Sequence, residues 1–173
     1  DSHHLLQNFE DQDYHMVYTR QELSALPSSA TKVFGAFSNS VFPYAMDKPL
    51  MEENTIPDLA TLTQSAISIL EKNENGFFLM VEGGLIDWAE HDHDPGALLH
   101  EMIAFNDALK TGLEYARENQ DTLLIVTADH GCGGVGISYY EETELSPEDQ
   151  TYNFIDPHIY SQIENQSLSL EKI

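Results

Sequence analysis

Basic residues are scarce in this sequence. Seven Lys and Arg stand against 30 Asp and Glu, a formal net charge of −23. Nucleic-acid binding is driven by Lys and Arg meeting phosphates, so this balance argues against a nucleic-acid partner. It argues equally against an anionic membrane surface. The acidity fits salty surroundings or simple solubility, and composition does not separate them. Only Arg20 and Arg117 offer a guanidinium. A phosphate or carboxylate ligand would therefore need metal cations to be tolerated here. Cysteine is nearly absent too: Cys132 is alone, which excludes an intrachain disulfide. No run of about 18 apolar residues occurs, so no membrane-spanning helix is expected. The first residue is Asp1, with neither Met nor a basic-then-apolar leader, as expected of a mature product or a piece of a longer chain.

What is present suits a folded domain. The 173 residues are 41% hydrophobic, enough for one domain with a core. Residues 15–20 (HMVYTR) and 32–38 (KVFGAFS) predict short strands, with a brief helix over 21–26 and a loop over 39–54. Pro57 opens a helical pattern carried by Leu59, Leu62, Ala66, Ile67, Ile69 and Leu70, ending at Gly76. Phe77–Val81 is a continuous apolar run, the mark of a strand buried on both faces. A second helix starts at Pro95-Gly96 and runs to about Asn119, with Leu98, Met102, Phe105, Leu109 and Leu113 as its expected buried stripe. TLLIVT (122–127) predicts another buried strand. Helix, strand, helix, strand implies an α/β fold with a largely parallel sheet. From Ser138 onward the sequence is polar and acidic with weak periodicity, readable as loop, insertion or frayed tail.

Both apolar runs end in chemistry-bearing residues. Val81 is followed by Glu82-Gly83-Gly84-Leu85-Ile86-Asp87-Trp88-Ala89-Glu90-His91, and Thr127 by Ala128-Asp129-His130-Gly131. In parallel α/β sheets, sites form beyond the carboxyl ends of strands, where both clusters stand. Carboxylate oxygen with imidazole nitrogen suits zinc, and an oxygen-rich position suits magnesium. Asp87 and His91 are four apart, so a helical turn puts both on one side. Asp129 and His130 reach a common ion only at a sharp exit from a strand. Gly83-Gly84 would let backbone pass close to a crowded metal centre. Blander readings stand beside these. Asp87 and His91 also suit a solvated acidic face, and Asp129 a helix cap. Glu82 at the end of a buried strand is harder to explain without a metal or partner, because a buried carboxylate is costly. Asp92, His93 and Asp94 read as a solvated acidic loop, with second-rank support of the ligands as the lesser reading. Trp88 would wall the site or cover the core.

GFFLMVEGGLIDWAEH followed by LLIVTADHG resembles the alkaline phosphatase family. VYTRQEL, KVFGAF, FPYAMD and the helix after Pro57 are similar to the family's middle segment in the same order, and HGCGGVGIS to its continuation in bacterial members. The resemblance covers residues 10–137, with 76–137 as the metal-binding core of a partial domain over 1–173 and 138–173 as a poorly matched tail. It implies a three-layer α/β sandwich around a mostly parallel sheet, present here as an incomplete part. It implies phosphate monoester hydrolysis through a phosphoserine, with two Zn2+ and one Mg2+. Asp87 and His91 would then bind the first zinc, Asp129 and His130 the second, and Glu82 the magnesium. Three such ions would reverse the local charge and admit a phosphate dianion.

The same resemblance exposes departures. The family's serine nucleophile stands in an Asp-Ser-Ala motif far upstream of the glutamate, as do a metal-bridging aspartate, a hydroxyl ligand and a phosphate-clamping arginine. Asp1-Ser2-His3 does not match that motif, so no catalytic residue is assigned here. The family's late zinc histidine lies in a Gly-His-Thr-Gly context, which His158 in DPHIY does not match. The chain is thus expected to be inactive alone and to pair with the missing part of its own enzyme. Two other functions remain open: a non-catalytic acidic metal-binding module, and a related metal-dependent phosphodiesterase or sulfatase-like hydrolase. The resemblance further implies a periplasmic or extracellular location, and allows a homodimer.

Overall fold

The computed structural model describes residues 2–51, 55–136 and 157–172. The element order begins with α1 (Ser2–Glu10), β1 (His15–Val17), α2 (Arg20–Ser24) and β2 (Val33–Gly35). After a 3-10 turn at Lys48–Leu50 come α3 (Leu59–Leu70), α4 (Leu85–His91), α5 (Pro95–Glu118) and α6 (Pro157–Glu164). The architecture is α/β with a parallel sheet, as the sequence implies. β1 and β2 pair in parallel, His15 opposite Val33 and Val17 opposite Gly35.

Local chemistry sets the boundaries. The first strand is shorter than 15–20 because Thr19 closes it with a capping box. Its Oγ1 accepts from Glu22 N at 3.1 Å while Glu22 Oε2 accepts from Thr19 N at 3.0 Å. The sequence pattern predicts no helix where α1 lies. Phe9 at its end stacks on Phe34 of β2, with ring centroids 4.7 Å apart. α3 starts two residues later than Pro57 suggests, because Asp58 is its cap and accepts from Thr61 N at 2.7 Å. Arg20 reaches across to Asp58 Oδ2 at 3.1 Å, so one of the chain's two guanidinium groups is committed to holding α2 against α3.

The largest departure lies at 77–81 and 122–127. Neither run is helical and neither pairs into a sheet, and the only sheet among the described residues has two strands. Both run beside α5: Phe77 meets Tyr115 with ring centroids 6.0 Å apart, and a Leu124 methyl passes Gly112. Their other faces are open, with Phe78 88% and Leu123 82% exposed. The apolar pattern is that of strands buried on two faces, but a strand needs neighbours to supply its ladder. The stripe expected on α5 is displaced for a related reason. Met102 and Leu113 are exposed, and the buried positions are Gly96, Ala97, Glu101 and Ala108. α5 is apolar on more than one face, and α3 and α4 cover the face of small residues. There Tyr44, Met46, Ala89 and Ala97 form a core with Leu85 and Leu98 against it.

Residues 137–156 lie outside the described ones, and with them most of the polar stretch after Ser138. The part that is described is a docked segment rather than loose chain. α6 packs on α5, and Gln166 Nε2 donates to Asp94 Oδ1 at 2.7 Å. Ser169 donates from N and Oγ to the two carboxylate oxygens of Asp47, at 3.1 and 2.7 Å. Leu170 N donates to Asp94 Oδ2. Gly96 makes this approach feasible, since a Cβ there would lie 2.3 Å from the Gln166 amide. Asp94 is therefore not part of a solvated loop: it is 1% exposed, caps α5 through Ala97 N and anchors the tail.

Candidate metal centre

α4 carries the first cluster. Asp87 lies in its first turn and His91 at its end, so the helix brings Asp87 Oδ2 within 3.5 Å of His91 Nε2. Two ligands on one tetrahedral zinc at ordinary bond lengths stand about 3.3–3.5 Å apart, so this spacing fits shared coordination. Asp87 Oδ1 is buried and has no hydrogen-bond partner, the state of a carboxylate oxygen with capacity to spare for a cation. His91 is open to solvent.

The second cluster is more exposed. Asp129 Oδ1 accepts from His130 N at 3.0 Å, and Asp129 Oδ2 lies 3.4 Å from His130 Nε2. Just after this apolar run, neighbouring residues do turn to one side. Residues 131–136 form no helix, so the helix-cap reading of Asp129 falls away. The two exits meet at α4. Cys132 N donates to Glu90 Oε2 at 3.1 Å. Gly133, at φ +65°, lies where a Cβ would come within 2.6 Å of the Glu90 carbonyl oxygen. Only glycine accepts both the left-handed backbone and this approach.

Asp87, His91 and Cys132 form the one group of three potential ligands found among the described residues, each offering an atom within 4.8 Å of the others. Asp129, His130 and Glu82 are not in that group. Glu82 is exposed, so desolvation gives no reason for its presence. It leans over Gly84, with Oε1 3.2 Å from where a Cβ would be, and Gly83 gives way to Phe105 of α5 at 2.9 Å. The crowding that requires the two glycines is thus from Glu82 and Phe105. Trp88 is 50% exposed and does not close the core. His158 lies on α6 beside Gln162, and Ser2 begins α1.

Sequence reasoning missed Glu90 and Cys132, whose roles depend on contact between distant segments. Nothing but their closeness in sequence to His91 and His130 marked them. Burial, and then the neighbouring Asp87 carboxylate, push the Cys132 thiol above its ordinary value. Nearby, burial and a hydrogen bond to Asp92 push the Tyr44 hydroxyl upward, its OH lying 2.7 Å from Asp92 Oδ2. That bond fixes the turn just after His91.

Fold and site together describe part of an α/β protein with carboxylate and imidazole side chains standing where two apolar segments end. A sequence model described as alkaline phosphatase matches residues 1–168. Alkaline phosphatase 3 of Bacillus subtilis is 37% identical over 133 residues, covering 77% of this chain and 28% of that protein. The crystal structure of Thermus thermophilus alkaline phosphatase superposes with TM-score 0.77 at 29% identity, over 97% of this chain and 33% of the other. The cold-active alkaline phosphatase of a Shewanella species gives TM-score 0.69 at 34% identity, over 79% and 32%. The chain belongs to the alkaline phosphatase family. It spans about a third or less of these relatives' length, and its helices and small parallel sheet correspond to part of their larger fold.

Proposed function

We propose that the protein bearing this sequence hydrolyses phosphate monoesters, and that this region supplies metal ligands to the reaction centre. Asp87 and His91 hold one zinc, Asp129 and His130 a second, and Glu82 a magnesium. Bound there, divalent ions supply Lewis-acid stabilisation of a phosphoryl oxygen and offset the acidic surroundings. The serine nucleophile and the phosphate-clamping arginine come from the remainder of the enzyme; Arg20 is unsuited to the clamp, being tied to Asp58. The exposed apolar runs at 77–81 and 122–127 are the surfaces against which that remainder adds its strands. A location in the periplasm or outside the cell follows from the family, and no helix among the described residues is long and apolar enough to cross a membrane.

The observation that carries this reading is the meeting of the two segment ends at α4, in a chain of this family, with Asp87 and His91 already 3.5 Å apart. The test is zinc and magnesium content together with turnover of a chromogenic phosphate monoester at alkaline pH, for the full-length protein and for Asp87→Ala and His130→Ala. Loss of about one zinc and of turnover in each variant is expected; unchanged zinc content in both removes the ligand assignment. A diester hydrolysed faster than the monoester would instead identify a phosphodiesterase.

A further inference from the structure

α4 ends on a residue in a backbone region that side chains seldom occupy. Asp94 N donates to the Ala89 carbonyl oxygen at 3.0 Å and His93 N to that of Glu90 at 3.2 Å, the paired bonds of a helix closed by a left-handed residue. That residue is His93, at φ +54°. Glycine takes this region freely, whereas a residue with a side chain stays there only when its surroundings compel it. Both neighbours supply the compulsion. Asp92 accepts from the buried Tyr44 hydroxyl at 2.7 Å. Asp94 accepts from Ala97 N at 2.9 Å, from Gln166 Nε2 at 2.7 Å and from Leu170 N. Ser169, fully buried, ties the same strap of residues 166–170 to Asp47, and Asp47 N donates to the Tyr44 carbonyl oxygen at 2.9 Å. These contacts close a ring around the turn at 92–94, and His91 is the last helical residue before that turn.

We propose that Asp94, held by the 166–170 strap, is a positioning residue for the cation shared by Asp87 and His91. This rests on the preceding reading that those two side chains hold a cation. Their 3.5 Å approach is a property of one helical turn. A helix end frays unless its terminal carbonyls find donors. Here the two closing bonds need His93 to stay left-handed and Asp94 to stay where the strap keeps it. Without the strap, Asp94 keeps only its bond from Ala97 N; the last turn of α4 loosens, and His91 moves away from Asp87. Linkage runs both ways: a cation bridging Asp87 and His91 keeps that turn helical, which favours the docked strap. Asp94 is buried with both oxygens occupied by donors, so it acts through the turn and not as a ligand.

The full-length protein is stripped of metal, and hydrogen exchange is followed at Ser169 and Leu170 as zinc is added. Protection there should rise by about 5- to 150-fold, the usual span of coupling between two sites. The rise should be absent from His91→Ala, in which the second zinc position is untouched. Two variants approach from the strap's side. Gly96→Ala suits a helix, yet its Cβ would lie 2.3 Å from the Gln166 amide, which bonds at 2.7 and 2.8 Å keep in place. Gln166→Ala removes that amide. Each should weaken zinc binding, measured by competition with a chromogenic chelator, by up to the same factor, with α3 as protected as in wild type. Strap protection indifferent to zinc, or zinc affinity unchanged in both variants, overturns the positioning role and leaves Asp87 and His91 as ligands. Zinc content unchanged in Asp87→Ala and His91→Ala overturns both the positioning role and the reading beneath it.

Discussion

Replacing Asp94 by Asn tests whether the tail is held in the way the structure shows. Every group facing this carboxylate is a donor. Ala97 N and Gln166 Nε2 point to Oδ1 at 2.9 and 2.7 Å, and Leu170 N points to Oδ2. An amide has one oxygen and one NH2, so in either orientation the NH2 of the substituted side chain must face an N–H. At least one hydrogen bond to a charged acceptor is lost, about 1.5–3 kcal/mol, and a buried donor is stranded at about 1–3 kcal/mol. Allowing for partial relaxation, the docked tail should lose about 2–4 kcal/mol. A solvated cap would behave differently, because Asn and Asp are nearly equivalent there. The assay is residue-resolved hydrogen exchange in the full-length protein, followed at Ser169 and Leu170. Protection there should fall by about 30- to 1,000-fold, with α3 little changed, since each 1.4 kcal/mol is a factor of ten. Protection within a factor of two of wild type would refute the argument.

Other outcomes follow from the same geometry. Glu101 is buried and accepts from Ala45 N, and burial raises its carboxyl above the ordinary value even though that bond and Lys48 oppose the rise. The folded state therefore keeps this proton to higher pH than the unfolded state, so its contribution to stability is present below the unfolded value and declines as pH rises toward the folded one. Glu101→Gln should remove that slope in urea melts taken across the mildly acidic range. Asp58 behaves oppositely: burial alone would raise it, but hydrogen bonds from Thr61 and the charge of Arg20 leave it depressed. Stability from Asp58 should be lost as pH falls through the depressed value, and Asp58→Asn should flatten that limb of the profile. Gly133→Ala imposes a left-handed backbone on alanine and a clash with Glu90, a strain of about 1–3 kcal/mol, and should weaken zinc binding measured by calorimetry. Ile125→Ala should cost about 2–5 kcal/mol in the full-length protein if further strands cover it, and almost nothing in the 173-residue chain alone, where Ile125 is 72% exposed; equal costs would show that nothing covers it.

The legible parts of this chain were those whose information is local. The helix after Pro57 and the helix after Asp94 announce themselves by periodicity and by caps, and the Asp87-to-His91 spacing is a property of a single turn of helix. β1 and β2 were legible as apolar runs, though not their ends, because the Thr19–Glu22 capping box competes with the strand for the same residues. α1 was opaque: Leu5 and Leu6 remain exposed, so no buried stripe marks it. The tail was opaque for another reason. Its binding comes from polar atoms, with Ser169 and Gln166 clasped by Asp47 and Asp94, and such pairs leave no periodic trace in a sequence.

The two apolar runs show why a correct reading of pattern can still differ from the local structure. Phe77–Val81 and Thr122–Thr127 carry the hydrophobicity of central strands, and that pattern reports the environment in which a segment is buried, not the hydrogen bonds available within one stretch of chain. Here α5 covers one face and the ladder positions stay unfilled. Leaving such faces open is unfavourable by about 25 cal/mol for each Å2 of apolar surface that could have been removed from water. The same two segments deliver Glu82, Asp87 and His91 at one end and Asp129 and His130 at the other. Strand neighbours that fix their twist and spacing would therefore also fix the distance between the two ligand groups. On this reasoning covering the runs and completing the metal centre are one event: zinc affinity should rise when the neighbouring strands are present even if they contribute no ligand. Comparing zinc affinity of the 173-residue chain with that of full-length protein in which every ligand outside this region is replaced by Ala isolates that effect, and equal affinities would show that the two segments hold their ends in place unaided.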